Sequence, residues 1–206
     1  MWHPRQNEMG LPVKLHKPSV PSVAGAWLDA EAVAQVVPGG PMPAILNGVP
    51  IASWQQAPVD TAAWEALANA MRADEPPFVA PKGLKKAAGV VVRESDGRVW
   101  VVAPSNAFGG YQATFPKGGM EDKSTKTTAL VEAFEESGLQ VRLTSFLVDV
   151  HRSTSYTRYF LGERIGGTPA DMGWESQGVM LVPMALLPQV LNSSNDLPII
   201  AALKKI

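Results

Sequence analysis

The spacing of apolar positions changes near residue 85. Upstream, hydrophobic residues come in short bursts broken by proline; downstream, they form longer alternating and helical runs. Upstream, Asp29 to Val37 predicts a short helix. Ala44-Ile45-Leu46, then Asn47-Gly48, then Val49 to Trp54 predicts a hairpin, because Asn-Gly favours the positive φ angles of a tight type I′ turn. Asp60 or Thr61 can cap a helix in which Trp64, Leu67, Ala68 and Met71 recur at i, i+3, i+4 and i+7. That apolar face either packs on the rest of the protein or serves as a dimer surface or lid. Downstream, Ala88 to Arg93 and Arg98 to Ala103 read as strands joined by a Ser95-Asp96-Gly97 turn. Gln112 to Phe115 reads as a third short strand stopped by Pro116. Residues 125–137 read as a helix, with Gly138 suited to the position just past its end. Leu139 to Val150, Tyr156 to Glu163 and Val179 to Val182 read as further strands, and 184–191 and 196–205 as short helices. Strands and helices mixed in this way predict an α/β sandwich rather than a bundle or an all-β barrel.

Proline marks the organisation. Twelve of the 18 prolines fall in the first 81 residues. The boundary is expected at Pro76-Pro77 to Lys82, a stretch with the composition of a connector. Residues 1–82 are then a Pro-rich N-terminal extension or small subdomain, and 83–206 the main domain. Composition narrows the function. A formal net charge of -1 argues against a general nucleic-acid binder. Hydrophobic residues at 46% supply a real core. The absence of cysteine removes disulfides, a thiol nucleophile and thiolate-bound metals. No apolar run is long enough to span a membrane, and Met1 to Gly10 lacks an apolar signal-like segment, so a cytoplasmic location is expected.

The chemistry concentrates between Phe115 and Leu139, FPKGGMEDKSTKTTALVEAFEESGL. On a helix, Glu132, Glu135 and Glu136 fall at i, i+3 and i+4 and share one face. Three such carboxylates repel one another, unless a hard divalent cation with oxygen ligands offsets the repulsion. A solvated acidic helix face would show the same pattern. The residues ahead of the helix favour the cation. Gly118 and Gly119 let a backbone carbonyl approach a metal closely, and Lys117 offers a point charge to phosphate.

This segment resembles the Nudix box, G-x5-E-x7-R-E-U-x-E-E-x-G-U with U aliphatic. The match is carried by Glu132, Ala133, Glu135, Glu136, Gly138 and Leu139, with Gly118-Gly119 at the opening glycines, and the likeness extends from about Leu84 to the C-terminus. It implies a Nudix-type α/β/α sandwich with a mixed sheet. It also implies a hydrolase that cleaves a diphosphate linkage in a nucleoside diphosphate derivative. Glu135 and Glu136 would ligate Mg²⁺ or Mn²⁺. Glu132 would do the same or act as a base. A carbonyl at Gly118 or Gly119 would complete the shell, and Lys117 would bind a phosphate. Water activated by the metal would attack phosphorus. Glu175, in Met172-Gly173-Trp174-Glu175, is a base placed on a later loop or an exposed loop acid. Three departures stand out: Val131 replaces the pattern's Arg, the middle Glu is absent, and the box loop is shorter.

The substrate signals are fewer. Tyr156 lies 17 residues beyond Leu139. In the family a Tyr near that distance accompanies dinucleoside polyphosphate hydrolysis; the other reading is an ordinary strand aromatic. Trp174 stacks on a base or packs in the fold. His3, His16 and His151 are too scattered for a histidine metal site. No nucleophile elbow and no P-loop is present. The resemblance therefore implies a small-molecule nucleotide partner, with a homodimer also open. Alternatives are an ADP-ribose or nucleotide-sugar pyrophosphatase, and a Nudix-fold module that binds a nucleotide without cleaving it. A further alternative makes residues 1–82 an interaction arm.

Overall fold

The computed structural model describes residues 1–206. In chain order the strands are β1 (Trp2–Gln6), β2 (Pro12–Lys14), β3 (Ala34–Val36), β4 (Ile45–Leu46), β5 (Val49–Pro50), β6 (Lys85–Val92), β7 (Val99–Pro104), β8 (Lys117–Gly119), β9 (Leu139–His151), β10 (Ser155–Gly167) and β11 (Ser176–Val182). The helices are α1 (Thr61–Asn69), α2 (Thr125–Ser137), α3 (Leu187–Val190) and α4 (Leu197–Leu203). One sheet has the order β8-β6-β10-β9, with β6 and β10 parallel and the other pairs antiparallel. A second, antiparallel sheet has the order β3-β11-β7.

Alternation along β6 and β7 explains the layering. Ala88, Val90 and Val92 of β6 and Trp100 and Val102 of β7 face one core, together with Ala129, Leu130 and Ala133 of α2. Val91, Val99, Val101 and Ala103 face the other core, with Leu187, Ile199 and Leu203 from the C-terminal helices. The two faces of each strand thus feed two cores, and helices cover both sides. This is the mixed-sheet α/β sandwich that the pattern predicts.

Local chemistry accounts for the helix ends. Asp60 accepts from the Ala63 N–H at 2.8 Å and starts α1, and Ser124 accepts from the Thr127 N–H to start α2. Gly138, at φ 68, closes α2 where the helix pattern ends. The Asn47-Gly48 hairpin forms as read, with both residues at positive φ. Two expected elements differ. Asp29 to Val37 does not form a helix; a turn leads into β3, because Ala34 and Val36 bury against β11. Gln112 to Phe115 does not form a strand. Only Thr114 bridges, to Val102, and the strand lies after Pro116, at β8.

The apolar face of α1 turns inward. Trp64 packs with Trp54 (5.6 Å) and with Phe134 of α2 (5.9 Å). Residues 1–82 share the main core through Trp27, Val36, Leu46, Trp64 and Ala73. Three buried arginines fasten them. Arg98 donates to the carbonyls of Ala26, Trp27 and Asp29. Arg164 pairs with Glu94 and donates to the carbonyls of Leu46 and Pro50. Arg158 pairs with Glu75 and Asp149 and donates to the Pro76 carbonyl. A guanidinium carries five donors in a rigid fork, so one side chain can satisfy several loop carbonyls that no ladder reaches. No helix is long and apolar enough to cross a membrane.

Candidate active site

The site forms where β8 runs antiparallel to β6 and the chain then turns into α2. The Glu65 carboxylate of α1 accepts from the Ser124 N–H (2.8 Å) and hydroxyl (3.0 Å), which anchors the start of α2. Inward residues Ala129, Leu130 and Ala133 fix the rotation of the helix, so Glu132 and Glu136 turn toward β8. Val131 is buried in the core, consistent with its apolar character at a position where the box pattern has Arg.

Glu136 is buried and accepts from the Lys117 backbone N–H at 3.0 Å. Burial pushes its carboxyl up to about 7, against the pull of Lys117. Glu132 is pushed further, to about 9, first by burial and then by the charges of Glu136, Glu135 and Glu175. Glu135, on the exposed rim, is also raised, by partial loss of solvent and by Glu175. Glu175 is raised too, by loss of solvent and by Glu8 of the N-terminal hairpin. Lys117 acts on Glu132, Glu136 and Glu175 alike, and its ammonium lies 5.5 Å from the centre of the Tyr111 ring.

Gly118 faces Glu132 directly. A Cβ there would meet the Glu132 carboxylate at 2.1–2.5 Å. Gly118→Ala is therefore expected to displace the Glu132 side chain while barely moving the melting temperature, because the group that yields is the free end of a side chain. Comparing activity with thermal melting checks this: a large drop in melting temperature would show that Gly118 serves the fold instead. Gly173 meets backbone rather than a side chain. Its N–H donates to the Glu135 carbonyl at 2.7 Å, and a Cβ would reach that oxygen at 2.4 Å. On the other side of this loop, the Ser105 hydroxyl donates to the Trp174 carbonyl (2.7 Å) and the Ser105 N–H to the Glu175 carbonyl (2.7 Å). Glu175 is thereby held beside the α2 carboxylates.

The structure thus brings together Lys117, Gly118, Glu132, Glu135, Glu136 and Glu175. It does not bring Tyr156 to them. Tyr156 stacks on Phe78 (5.5 Å, 14° between planes), beside the Arg158 cluster. Residues without a sequence signal also converge here. Glu8 and Arg5 arrive from the N-terminal hairpin. Arg152 and Asp196 form a buried ion pair under Tyr111. Only the return of distant segments places them, so no local motif could have shown them.

The donor set suits a divalent cation. No three carboxylate or imidazole side chains stand together as a ready cage. Yet each acid of the basin is held above its ordinary range by the loss of water, and Glu132 and Glu136 also by one another's charge or that of neighbouring acids. A hard cation on those oxygens offsets both costs. Glu132, Glu135, Glu136 and Glu175, with the Gly118 carbonyl, are the groups able to hold it.

The fold and this basin define a class. The NUDIX domain family model matches residues 83–203, and the chain belongs to the NUDIX domain family. Among solved structures, it is similar to an ADP-ribose pyrophosphatase from Streptococcus suis 89-1591, at 17% identity and TM-score 0.50, covering 59% of this chain and 90% of that one. It is also similar to a C. elegans Ap4A hydrolase, at 14% identity and TM-score 0.48, covering 59% and 96%. A UDP-X diphosphatase matches at 15% identity and TM-score 0.49, covering 73% and 72%. No curated protein matches the chain significantly.

Proposed function

We propose that the protein hydrolyses a phosphoanhydride bond in a nucleoside diphosphate derivative, using Mg²⁺ or Mn²⁺ held by Glu132, Glu135 and Glu136. One observation carries this reading: Glu132 and Glu136 of α2 both turn onto the Lys117-Gly118 segment, Glu136 accepting the Lys117 N–H at 3.0 Å and Glu132 facing Gly118. The cation would neutralise charge developing on the phosphate oxygens. Lys117 orients a phosphate by charge. Glu136 is steered by the Lys117 N–H, so the cation side and the phosphate side of the site share one backbone segment. Glu175, on a loop whose backbone is tied by Gly173 and Ser105, would take a proton from attacking water.

Dinucleoside polyphosphates are the first substrate class. Tyr156, stacked on Phe78, stands apart from the basin, so support for the class rests on the Phe115-Pro116-Lys117-Gly118-Gly119 lead-in, where the Lys117 ammonium would meet a phosphate. ADP-ribose and other nucleotide sugars are the next class. A binding module that leaves its nucleotide intact is favoured by Val131 and by the lack of a ready cage.

The test is a hydrolysis screen. The protein is incubated with Mg²⁺ or Mn²⁺ and diadenosine polyphosphates, ADP-ribose, NADH or nucleoside triphosphates, and products are separated by chromatography. Metal-dependent cleavage is expected, reduced about a thousandfold in Glu135→Gln, since a metal's charge stabilisation is worth several kcal/mol. Intact compounds throughout would sink the hydrolase reading and leave the binding module.

A further inference from the structure

The cleft in front of Glu135 is built from segments more than a hundred residues apart. One wall is the loop carrying Trp174 and Glu175; the other is the β1–β2 hairpin, which presents Arg5, Gln6 and Glu8. The cleft has a volume of about 250 Å³. That is below the roughly 300–1,000 Å³ of pockets that hold a whole ligand, and suits a part of one.

Both walls are fixed in place. The Trp174 loop is pinned by Gly173 and Ser105, as described. The hairpin is tied at several points. The Asn106 side chain accepts from the His16 N–H (2.8 Å) and donates to the Lys14 carbonyl (2.9 Å). Gln177 donates to the Lys17 carbonyl at 3.1 Å. His3 is buried, and its Nδ1 accepts from the Arg5 N–H at 3.0 Å. The Arg5 backbone is thus held while its guanidinium stays free.

Two side chains here lack a specific polar or ring partner. Arg5 makes no ion pair, although Glu8, Glu135, Asp171 and Glu175 line the same cleft. Of the six tryptophans, Trp27, Trp54, Trp64 and Trp100 each pack on another aromatic ring, whereas the exposed Trp2 and the half-buried Trp174 do not. An exposed guanidinium on a held backbone and an indole with no stacked ring, both lining a cleft beside the carboxylates, have the chemistry of a nucleotide subsite.

We propose that this cleft receives the nucleoside end of the substrate, with the base stacked on Trp174 and a phosphate met by Arg5. The N-terminal hairpin is then part of the substrate site, and Arg5 and Trp174 determine specificity. This inference rests on the reading of the adjacent carboxylates as a phosphoanhydride site.

Calorimetric titration tests it, using α,β-methylene-ADP and methylenediphosphonate with Mg²⁺, neither of which is cleaved at the methylene bridge. Trp174→Ala is expected to weaken the nucleotide analogue roughly five- to hundredfold and leave methylenediphosphonate unchanged, because only the former carries a base. Trp174→Phe should restore most of the loss, which a merely structural role for the residue would not require. Arg5→Ala is expected to weaken both ligands roughly tenfold. Unchanged nucleotide affinity in Trp174→Ala or Arg5→Ala overturns the proposal. So does Trp174→Phe as weak as Trp174→Ala, or a wild-type protein that binds neither ligand. Failure of the hydrolase reading looks different: the wild type binds the analogue with this mutant pattern but cleaves no compound of the screen.

Discussion

Replacing Arg158 by alanine is expected to cost about 3–5 kcal/mol of stability, the range for removing one partner of a buried ion pair. In a chain of this size that lowers the melting temperature by roughly 10 °C. Arg158 is fully buried, and its guanidinium lies 4.5 Å from the Phe78 ring centre and 4.9 Å from that of Phe146. It bonds both oxygens of Asp149 through Nε and Nη2 (2.8 Å each) and Glu75 through Nη1 (2.6 Å). Glu75 in turn accepts from the Thr125 hydroxyl at 2.7 Å, in the first turn of α2. Truncation strands two carboxylates and leaves the Pro76 carbonyl without its donor. The segment from Glu75 to Phe78 would then lose its main attachment. Arg158→Lys should recover only part of the loss, since a point charge cannot reproduce the fork. Thermal melting of the three proteins decides the matter. A fall of less than about 2 °C in the alanine variant would mean that the network contributes no net stability.

The second large effect links pH to the cation. Without metal, Glu136 holds its proton up to about pH 7 and Glu132 up to about pH 9, whereas both lose it near 4.5 in the unfolded chain. Between these limits the folded state binds more protons, so the stability of the metal-free protein falls as pH rises from about 4.5 to about 9. A divalent cation takes the place of those protons. The stabilisation by Mg²⁺ is therefore expected to be larger at pH 8.5 than at pH 6, by about 2 kcal/mol once solvent screening is allowed for, and the melting temperature should rise more at pH 8.5. Metal binding should release protons, visible as binding heats that vary with the buffer. Glu132→Gln should make the metal-free protein more stable at pH 8.5 while removing the extra gain from Mg²⁺. Equal gains at both pH values, with no stabilisation in the glutamine variant, would show that the cation does not replace these protons.

The likeness of this site to its sequence pattern varies by residue. α2 is legible in the sequence to its ends, because its helical spacing and Gly138 act within a few residues, and the structure adds the Ser124 cap. The grouping of Glu132, Glu135 and Glu136 follows from helical spacing alone. Asp29 to Val37 and Gln112 to Phe115 were misread, because long-range pairing outweighed local preference: β3 exists only because β11 accepts it, and Thr114 meets just one partner at Val102. The reading of Tyr156 depended on distance along the chain, whereas its surroundings were decided by Phe78, from a segment nearly eighty residues away.

By itself, then, the amino-acid order determined what short-range physics controls: the periods of strands and helices, the Asn47-Gly48 and Asp60 signals, and a helix face bearing three acids after a Gly-Gly turn. Only the tertiary structure decided which groups share a low-dielectric space. Folding buried Glu136 against the Lys117 N–H, raised Glu132 by burial and the charges of its neighbours, and drew Glu175, Glu8 and Arg5 to the same cleft. It also turned residues 1–82 from an apparent extension into contributors to the core, through carbonyls bound by Arg98, Arg158 and Arg164. The reason is physical: desolvation and charge coupling depend on distance through space, which the spacing of residues along a chain does not specify.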